Sequence, residues 1–303
     1  MVSVFLVTYN QEKYIRQALD SILMQEVDFD YEIIIGEDCS TDSTATICDE
    51  YASKYPFIHV YHHNPNKGLV KNWEFVLNHC KGEYVAMLEG DDLWLDANKL
   101  KLQYEWLEQN KDMALVFTGV KTIYENPQSV DEHLFCNLET RAYTKEEILQ
   151  NWIILTSSVM FRNNVKTVLK YPQDVFMTDT YTFLKIMSRG GAYCISDPMT
   201  GYRRHGANIT GINQIYEKMF RLYWNFAKQY AYMSKEYAEP SLSAICKSLS
   251  IQNCNYILYH TNSCLKDRFK CISLKYRLDS KETIKGWLSS VYTYVIKPYL
   301  HLK

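Results

Sequence analysis

The chain has 303 residues, 47% of them hydrophobic and 22% charged, with a formal net charge of −2. This is ordinary globular composition, which excludes a disordered chain, and the length suffices for one large domain with an extension. The near-neutral total hides an asymmetry: residues 1–211 carry 19 Lys/Arg against 29 Asp/Glu, whereas residues 212–303 carry 14 against 6.

Residues 2–7 form an apolar run that predicts a first strand. Asn10 is placed to cap the next helix, whose Ile15, Ala18, Leu19, Ile22 and Leu23 share one face. A second strand is expected over 31–36, and a helix over 43–54, with Asp42 as its cap, brings Cys48, Ala52 and Tyr55 together. A third strand follows over 57–61. Leu69, Trp73, Val76, Leu77 and Cys80 mark another helix, and 84–88 is a fourth strand. Alternation at this spacing argues for right-handed crossovers and a parallel sheet.

Residues 96–110 read as a helix burying Leu100, Tyr104 and Leu107, and 114–120 as a strand. Residues 121–143 read as an irregular excursion. Thr144-Lys145-Glu146-Glu147 is a capping-box pattern opening a short helix. A strand is expected over 157–161, a helix over 180–187 with Asp179 at its start, and a strand over 192–195 after Gly190-Gly191. Beyond residue 213 the pattern is helical and rich in aromatics, with breaks at Pro240 and 261–264.

Nine cysteines are scattered with no Cys-x-x-Cys pair, which argues against a structural zinc site and for a reduced, cytosolic compartment. The start, Met1-Val2-Ser3-Val4, lacks the basic region of a signal peptide, and no run of 18 apolar residues predicts a spanning helix.

Two acidic signatures stand at the ends of expected strands: Glu37-Asp38-Cys39-Ser40-Thr41-Asp42 and Glu89-Gly90-Asp91-Asp92. Open α/β sheets bind ligands outside the carboxyl ends of their strands. Carboxylates gathered there repel one another unless a cation joins them. Their placement suggests a metal-assisted site for a nucleotide sugar.

Together with Val7-Thr8-Tyr9-Asn10, Asn66-Lys67-Gly68 with Asn72, and Gly82-Glu83-Tyr84, these signatures resemble a family 2 glycosyltransferase of the bacterial polysaccharide and lipopolysaccharide type. The resemblance runs over about residues 1–210. It implies an α/β, Rossmann-like GT-A fold, a mostly parallel sheet flanked by helices, over 1–211. A basic, aromatic helical extension would follow over 212–303. Thr8, Tyr9 and Asn10 would then line the nucleotide, Asp38 would accept from the pyrimidine ring, and Lys67 would stand near the phosphates, with Asn72 alongside. Cys39 falls where the family carries a glycine that eases the turn.

Glu89-Gly90-Asp91-Asp92 corresponds to the family's metal-binding Asp-x-Asp motif. Asp92 is the first expectation for direct ligation of Mn²⁺ or Mg²⁺, with Asp91 as ribose or metal contact and Glu89 in a supporting place. Met177-Thr178-Asp179 resembles the Glu-Asp pair whose Asp is the catalytic base, although an Asp at a helix start equally serves as a plain cap. In Tyr202-Arg203-Arg204-His205-Gly206-Ala207-Asn208-Ile209-Thr210, His205 would contact the metal or diphosphate and Arg203 the phosphate oxygens.

The implied activity is inverting transfer of one hexosyl or N-acetylhexosaminyl unit, from a donor expected to be UDP-linked, to a saccharide or lipid-linked acceptor. No Gln-x-x-Arg-Trp signature of processive synthases occurs. Two alternatives stand beside it: a sugar nucleotidyltransferase, opposed by the absence of glycine in Thr8-Tyr9-Asn10-Gln11, and a binding protein on a decayed transferase fold. No nucleic-acid partner is expected. The basic tail, with Trp287, Tyr292, Tyr294 and Tyr299 among Lys281, Lys285 and Lys297, reads as an anchor on the anionic inner face of the plasma membrane, as a helical cap on the catalytic domain whose aromatics form its core, or as a homo-oligomer interface.

Overall fold

The computed structural model describes residues 1–125, 138–164, 169–172, 175–205, 216–260, 264–278 and 284–297. Residues 206–210 of the expected site segment, and Lys281 and Tyr299 of the tail, lie outside them, as does the side chain of Lys285. Chain packing divides the molecule into two units: residues 1–171 with 178–205, and residues 172–177 with 206–303.

The first unit is built on β1 (Val2–Thr8), β2 (Tyr31–Glu37), β3 (Ile58–His62) and β4 (Tyr84–Glu89). These pair in parallel in the order β3-β2-β1-β4. β1, β2 and β4 carry successive apolar residues because both of their faces are covered. Val2, Val4 and Leu6 of β1 point into one core layer, with Ala86 and Leu88 of β4 and the faces of α1 (Ile15–Leu23), α2 (Thr44–Lys54) and α4 (Lys99–Gln109). Phe5, Val7, Val85 and Met87 point the other way, against Trp73, Val76 and Leu77 of α3 (Leu69–His79).

The rest of the sheet is mixed. β5 (Leu93–Trp94), β6 (Met113–Tyr124), β7 (Arg141–Tyr143), β8 (Val159–Arg162) and β9 (Gly191–Arg204) complete the order β3-β2-β1-β4-β8-β6-β9-β5, with β7 against β9. β8 lies antiparallel between β4 and β6, and β9 runs parallel to β6. The stretch expected to be irregular therefore holds the end of β6 and all of β7, whose strand character comes from pairing with β9 and not from local apolar pattern. β9 is longer than expected, 14 residues that cross the sheet and carry Tyr202, Arg203 and Arg204. α5 (Lys145–Asn151) opens on the expected capping box between Thr144 and Glu147, and α6 is Thr178–Ile186.

Helix α4 buries more than apolar side chains. Lys99 is 0% exposed, with Nζ 2.7 Å from Gln103 Oε1 and 4.4 Å from the centre of the Trp94 ring. The Gln103 amide nitrogen donates to the carbonyls of Val116 and Ser158.

The second unit comprises α7 (Tyr216–Glu236), α8 (Pro240–His260), α9 (Leu265–Leu278), α10 (Ile284–Val291) and a π-helical stretch over Tyr292–Ile296. Ala227, Cys254, Ile257, Cys271, Ile272 and Val291 form its core. Gln229 Oε1 accepts the amides of Phe176 and Met177, which belong to this unit. Among the described residues no helix is long and apolar enough to cross a membrane, and the eight described cysteines are free thiols.

Candidate active site

Parallel pairing fixes the neighbours at the strand ends: Thr8 stands opposite Glu37, and Val7 opposite Glu89. The loops beyond them are stitched together. Asp38 N donates to Thr8 O and Gly90 N to Val7 O. A Cβ at Gly90 would stand 2.4 Å from Gln11 Oε1 and 2.8 Å from Thr8 Oγ1, so only glycine lets the acidic loop lie against the first one.

Asn10 does not cap α1, which starts at Ile15 with no side-chain cap. It adopts φ 52° and its Oδ1 accepts from Thr41 N at 2.8 Å, tying the first loop to the second. Asp42 stands one residue before the N-cap of α2, which is Ser43 without a side-chain cap; it accepts Thr44 N at 3.0 Å and Glu12 N at 3.1 Å and so ties the first loop to the start of that helix. Cys39 has φ 62°, the left-handed conformation a glycine would hold freely.

Asp38 is buried, with Oδ1 accepting Lys67 N at 2.7 Å and Oδ2 accepting Gly68 N at 2.9 Å. It thereby shapes the turn into α3. The Lys67 ammonium lies 4.6 Å from the centre of the Phe75 ring. Asn72 is placed differently from expectation: it is buried, its Nδ2 donates to Gly36 O at 2.8 Å and its Oδ1 meets His63 Nε2 at 3.0 Å. Both ends of that amide are occupied within the protein, so Asn72 braces β2 against α3. Thr8 is also buried, whereas Tyr9 is exposed beside it.

The chain leaves β4 at Glu89 and enters β5 at Leu93, and β5 pairs antiparallel with Thr200–Gly201 of β9. That pairing brings the end of β9 over the acidic loop. Asp92, 1% exposed, accepts Ser157 Oγ–H at 2.6 Å on Oδ2 and Arg203 N–H at 2.9 Å on Oδ1. Arg203 Nε donates to Asp91 O at 3.0 Å and Nη2 to Gln17 Oε1 at 2.7 Å. His205 Nε2 lies 3.0 Å from Asp91 Oδ2, its ring stacked on Tyr14. The geometry thus differs from the sequence expectation for two residues. Asp91, not Asp92, faces His205, because the Asp92 carboxylate is turned inward to Ser157 and to β9. Arg203 directs two of its donors at the loop and α1, not outward.

The electrostatics bear the mark of crowded acids. Burial and the charges of Asp91, Asp92 and Asp179 push the Glu89 carboxyl well above its usual range. Burial and Asp91 push Asp92 up to about 8 against the opposing pull of Ser157 and Arg203. Asp179, in the first turn of α6 with Oδ1 accepting Thr180 N at 2.6 Å, rises to about 6 through burial. Among the described residues no three His, Cys, Asp or Glu side chains are arranged to hold a metal by themselves. Asp91 Oδ2 and His205 Nε2 form a two-atom seat of oxygen and nitrogen, a donor set that Mn²⁺ accepts when phosphate oxygens and water complete it.

Ser157, Tyr14 and Gln17 escaped the sequence reading. Only the run Thr156-Ser157-Ser158, three small hydroxyl residues before an apolar strand, hinted at a buried polar anchor. Ser157 holds both ends of the acidic loop, accepting Glu89 N at 3.1 Å and bonding Asp92, while its carbonyl takes the Trp94 indole N–H at 2.8 Å.

A parallel βαβ half with acids at its strand ends, closed by a mixed half whose last strand returns cationic groups to the same loop, defines the GT-A class of fold. The model for glycosyl transferase family 2 matches residues 3–171, and the chain belongs to that family. It is 34% identical over 210 residues to an uncharacterized protein of Mycobacterium tuberculosis, covering 69% of this chain and 60% of that protein. The chain therefore spans about 60% of the length of such curated relatives. It is 29% identical over 204 residues to the putative teichuronic acid biosynthesis glycosyltransferase TuaG of Bacillus subtilis, covering 67% of this chain and 79% of TuaG. The structure of Staphylococcus aureus TarS 1–349 with UDP aligns with a TM-score of 0.64 at 18% identity, over 96% of this chain and 80% of that one.

Proposed function

We propose that the protein is an inverting, metal-dependent glycosyltransferase that moves one sugar from a UDP-linked donor to a saccharide or lipid-linked acceptor in surface polysaccharide synthesis. The observation that carries this reading is the convergence of four carboxylates, Glu89, Asp91, Asp92 and Asp179, with His205 drawn to Asp91 by β9. The relation to TuaG supports the polysaccharide class, and TarS, solved with UDP and with UDP-GlcNAc, supports the donor class.

In this reading Thr8, Tyr9 and Asp38 border the nucleotide, and Tyr9 is the exposed face among them. Asp91 and His205 would hold Mn²⁺ or Mg²⁺ together with the donor diphosphate, and that cation would supply charge neutralisation of the leaving group. Asp179 removes the acceptor hydroxyl proton. Its Oδ1 is held by the Thr180 amide, so Oδ2 is the receiving atom. A base lifted to about 6 is ionised at neutral pH and better matched to a hydroxyl than an ordinary carboxylate. The acceptor oxygen then attacks the anomeric carbon opposite the departing diphosphate. Ser157, Asp92 and Arg203 keep the loop that presents Asp91 in place.

Nucleotide release from a panel of UDP, GDP and dTDP sugars, with and without Mn²⁺ and with mixed oligosaccharide acceptors, tests the assignment. Acceptor-dependent, Mn²⁺-dependent release from one donor is expected. Turnover of a sugar phosphate with nucleoside triphosphate, or no nucleotide binding at all, would replace it with one of the two alternatives.

A further inference from the structure

Helix α9 is packed on one side only. Cys271 and Ile272 belong to the core of the second unit, and Leu278 is buried as well. Leu265, Phe269 and Tyr276 run along the edge of that packed side, beside Ile272, and are 42%, 39% and 37% exposed. At 100° per residue these three fall within an arc of about 40°. Lys266 and Arg277, both exposed, follow about 60–120° further round, while Lys270, half-buried, pairs with Asp267 at 3.0 Å. The whole helix carries five cations against one acid, Asp267; Arg268 donates to Tyr294 O at 2.6 Å and Lys270 pairs with Asp267, which leaves Lys266, Lys275 and Arg277 as the surplus charge.

Exposed Leu, Phe and Tyr in a row are costly against water unless something covers them. A row of apolar side chains bordered by long cationic ones matches the acyl–headgroup boundary of a bilayer, where the aromatics enter and the ammonium and guanidinium groups stay at the phosphates. The surplus of cations selects an anionic leaflet and opposes a second copy of the same helix, which would bring like charges together. We propose that the exposed face of α9 docks on an anionic lipid surface, lying in the plane of the interface. The inference rests on the proposed function only in that a lipid-linked acceptor would explain its use.

Sedimentation of the full chain with vesicles of phosphatidylcholine alone, and with about 30 mol% phosphatidylglycerol, reads the partition directly. Pelleting is expected with the anionic vesicles at about 50 mM NaCl, with binding weaker by at least tenfold at about 500 mM. Lys266→Glu with Arg277→Glu should lower binding by about tenfold or more. Phe269→Ser with Tyr276→Ser should lower it as well while leaving the salt dependence in place. Both pairs alter exposed positions, so circular dichroism should match the parent, and if one pair misfolds the other carries the test.

Parent-like binding by folded variants, or equal binding to neutral vesicles, overturns the proposal. So does a parent chain that ignores anionic vesicles and instead dimerises through Phe269 and Tyr276. UDP binding, measured in parallel without lipid, separates the two readings. Loss of UDP binding with vesicle binding intact removes the transferase reading alone, and the reverse pattern removes this one alone.

Discussion

Replacing Asp179 by Asn should make the protein more stable and nearly inactive at once. The carboxyl rises from 3.8 to about 6 on folding because the folded chain shields it from water. A raised carboxylate pKa means that the folded state holds the proton more tightly than the unfolded state. Its contribution is therefore fully present below pH 4 and is lost as pH climbs through 6. At about 1.36 kcal/mol per unit, keeping the group ionised at pH 8 costs up to about 3 kcal/mol. Asn keeps the shape and an oxygen for the Thr180 amide but carries no charge. Urea unfolding in EDTA should show the Asn variant more stable than the parent at pH 8, by up to about 3 kcal/mol, with the gap closing near pH 4. Transfer should fall by about 10²–10⁴-fold with donor binding nearly unchanged, and the parent's rate should fall tenfold per unit below pH 6. An Asn variant with parental transfer would move the base elsewhere, and a stability gap independent of pH would refute the burial argument.

Three further outcomes follow from the same geometry. Asp91→Asn should abolish Mn²⁺-dependent UDP binding in calorimetry, whereas Asp92→Asn, whose amide still meets Ser157 and the Arg203 amide, should stay within about tenfold of the parent; equal losses would return ligation to Asp92. Cys39→Gly should relieve the left-handed backbone and raise stability by up to about 1 kcal/mol in thermal unfolding, since the steric cost of that conformation exceeds glycine's entropy in the unfolded chain; a lower midpoint would show that the thiol contributes packing. Burial holds Lys99 well below its usual range, so the folded state favours the neutral amine and stability suffers most where the unfolded lysine is charged. Lys99→Met should therefore gain more stability at pH 7 than at pH 10 in urea titrations, and a gain that grows with pH would contradict it.

The parallel half of the sheet was legible because β1, β2 and β4 carry runs of consecutive apolar residues, the mark of strands covered on both faces. β5 and β7 were not, since strands of two and three residues owe their form to β9 and leave no periodicity of their own. The acidic loop could be found from its residues, but spacing does not say which of two adjacent aspartates points inward. That choice was made by Ser157, 65 residues away, and by the backbone of Arg203, 111 residues away. Asn10 and Asn72 illustrate the same limit: a small amide suits a helix cap, a ligand contact or a buried brace, and the neighbours brought in by folding decide among them.

Strand β9 acts as a ruler between the heart of the sheet and the Asp91–His205 pair. It is registered against β6 from Gly191 onward, and His205 comes one residue after its last paired position. A single-residue deletion between Pro198 and Arg203 would draw the end of the strand back by about 3.3 Å and turn alternate side chains to the opposite face. The imidazole would leave Asp91 although every site residue remained in the sequence. Length along this strand should therefore tolerate no change, even where residue identity does, and libraries of insertions and deletions across the first unit should show β9 as an intolerant stripe along its whole length.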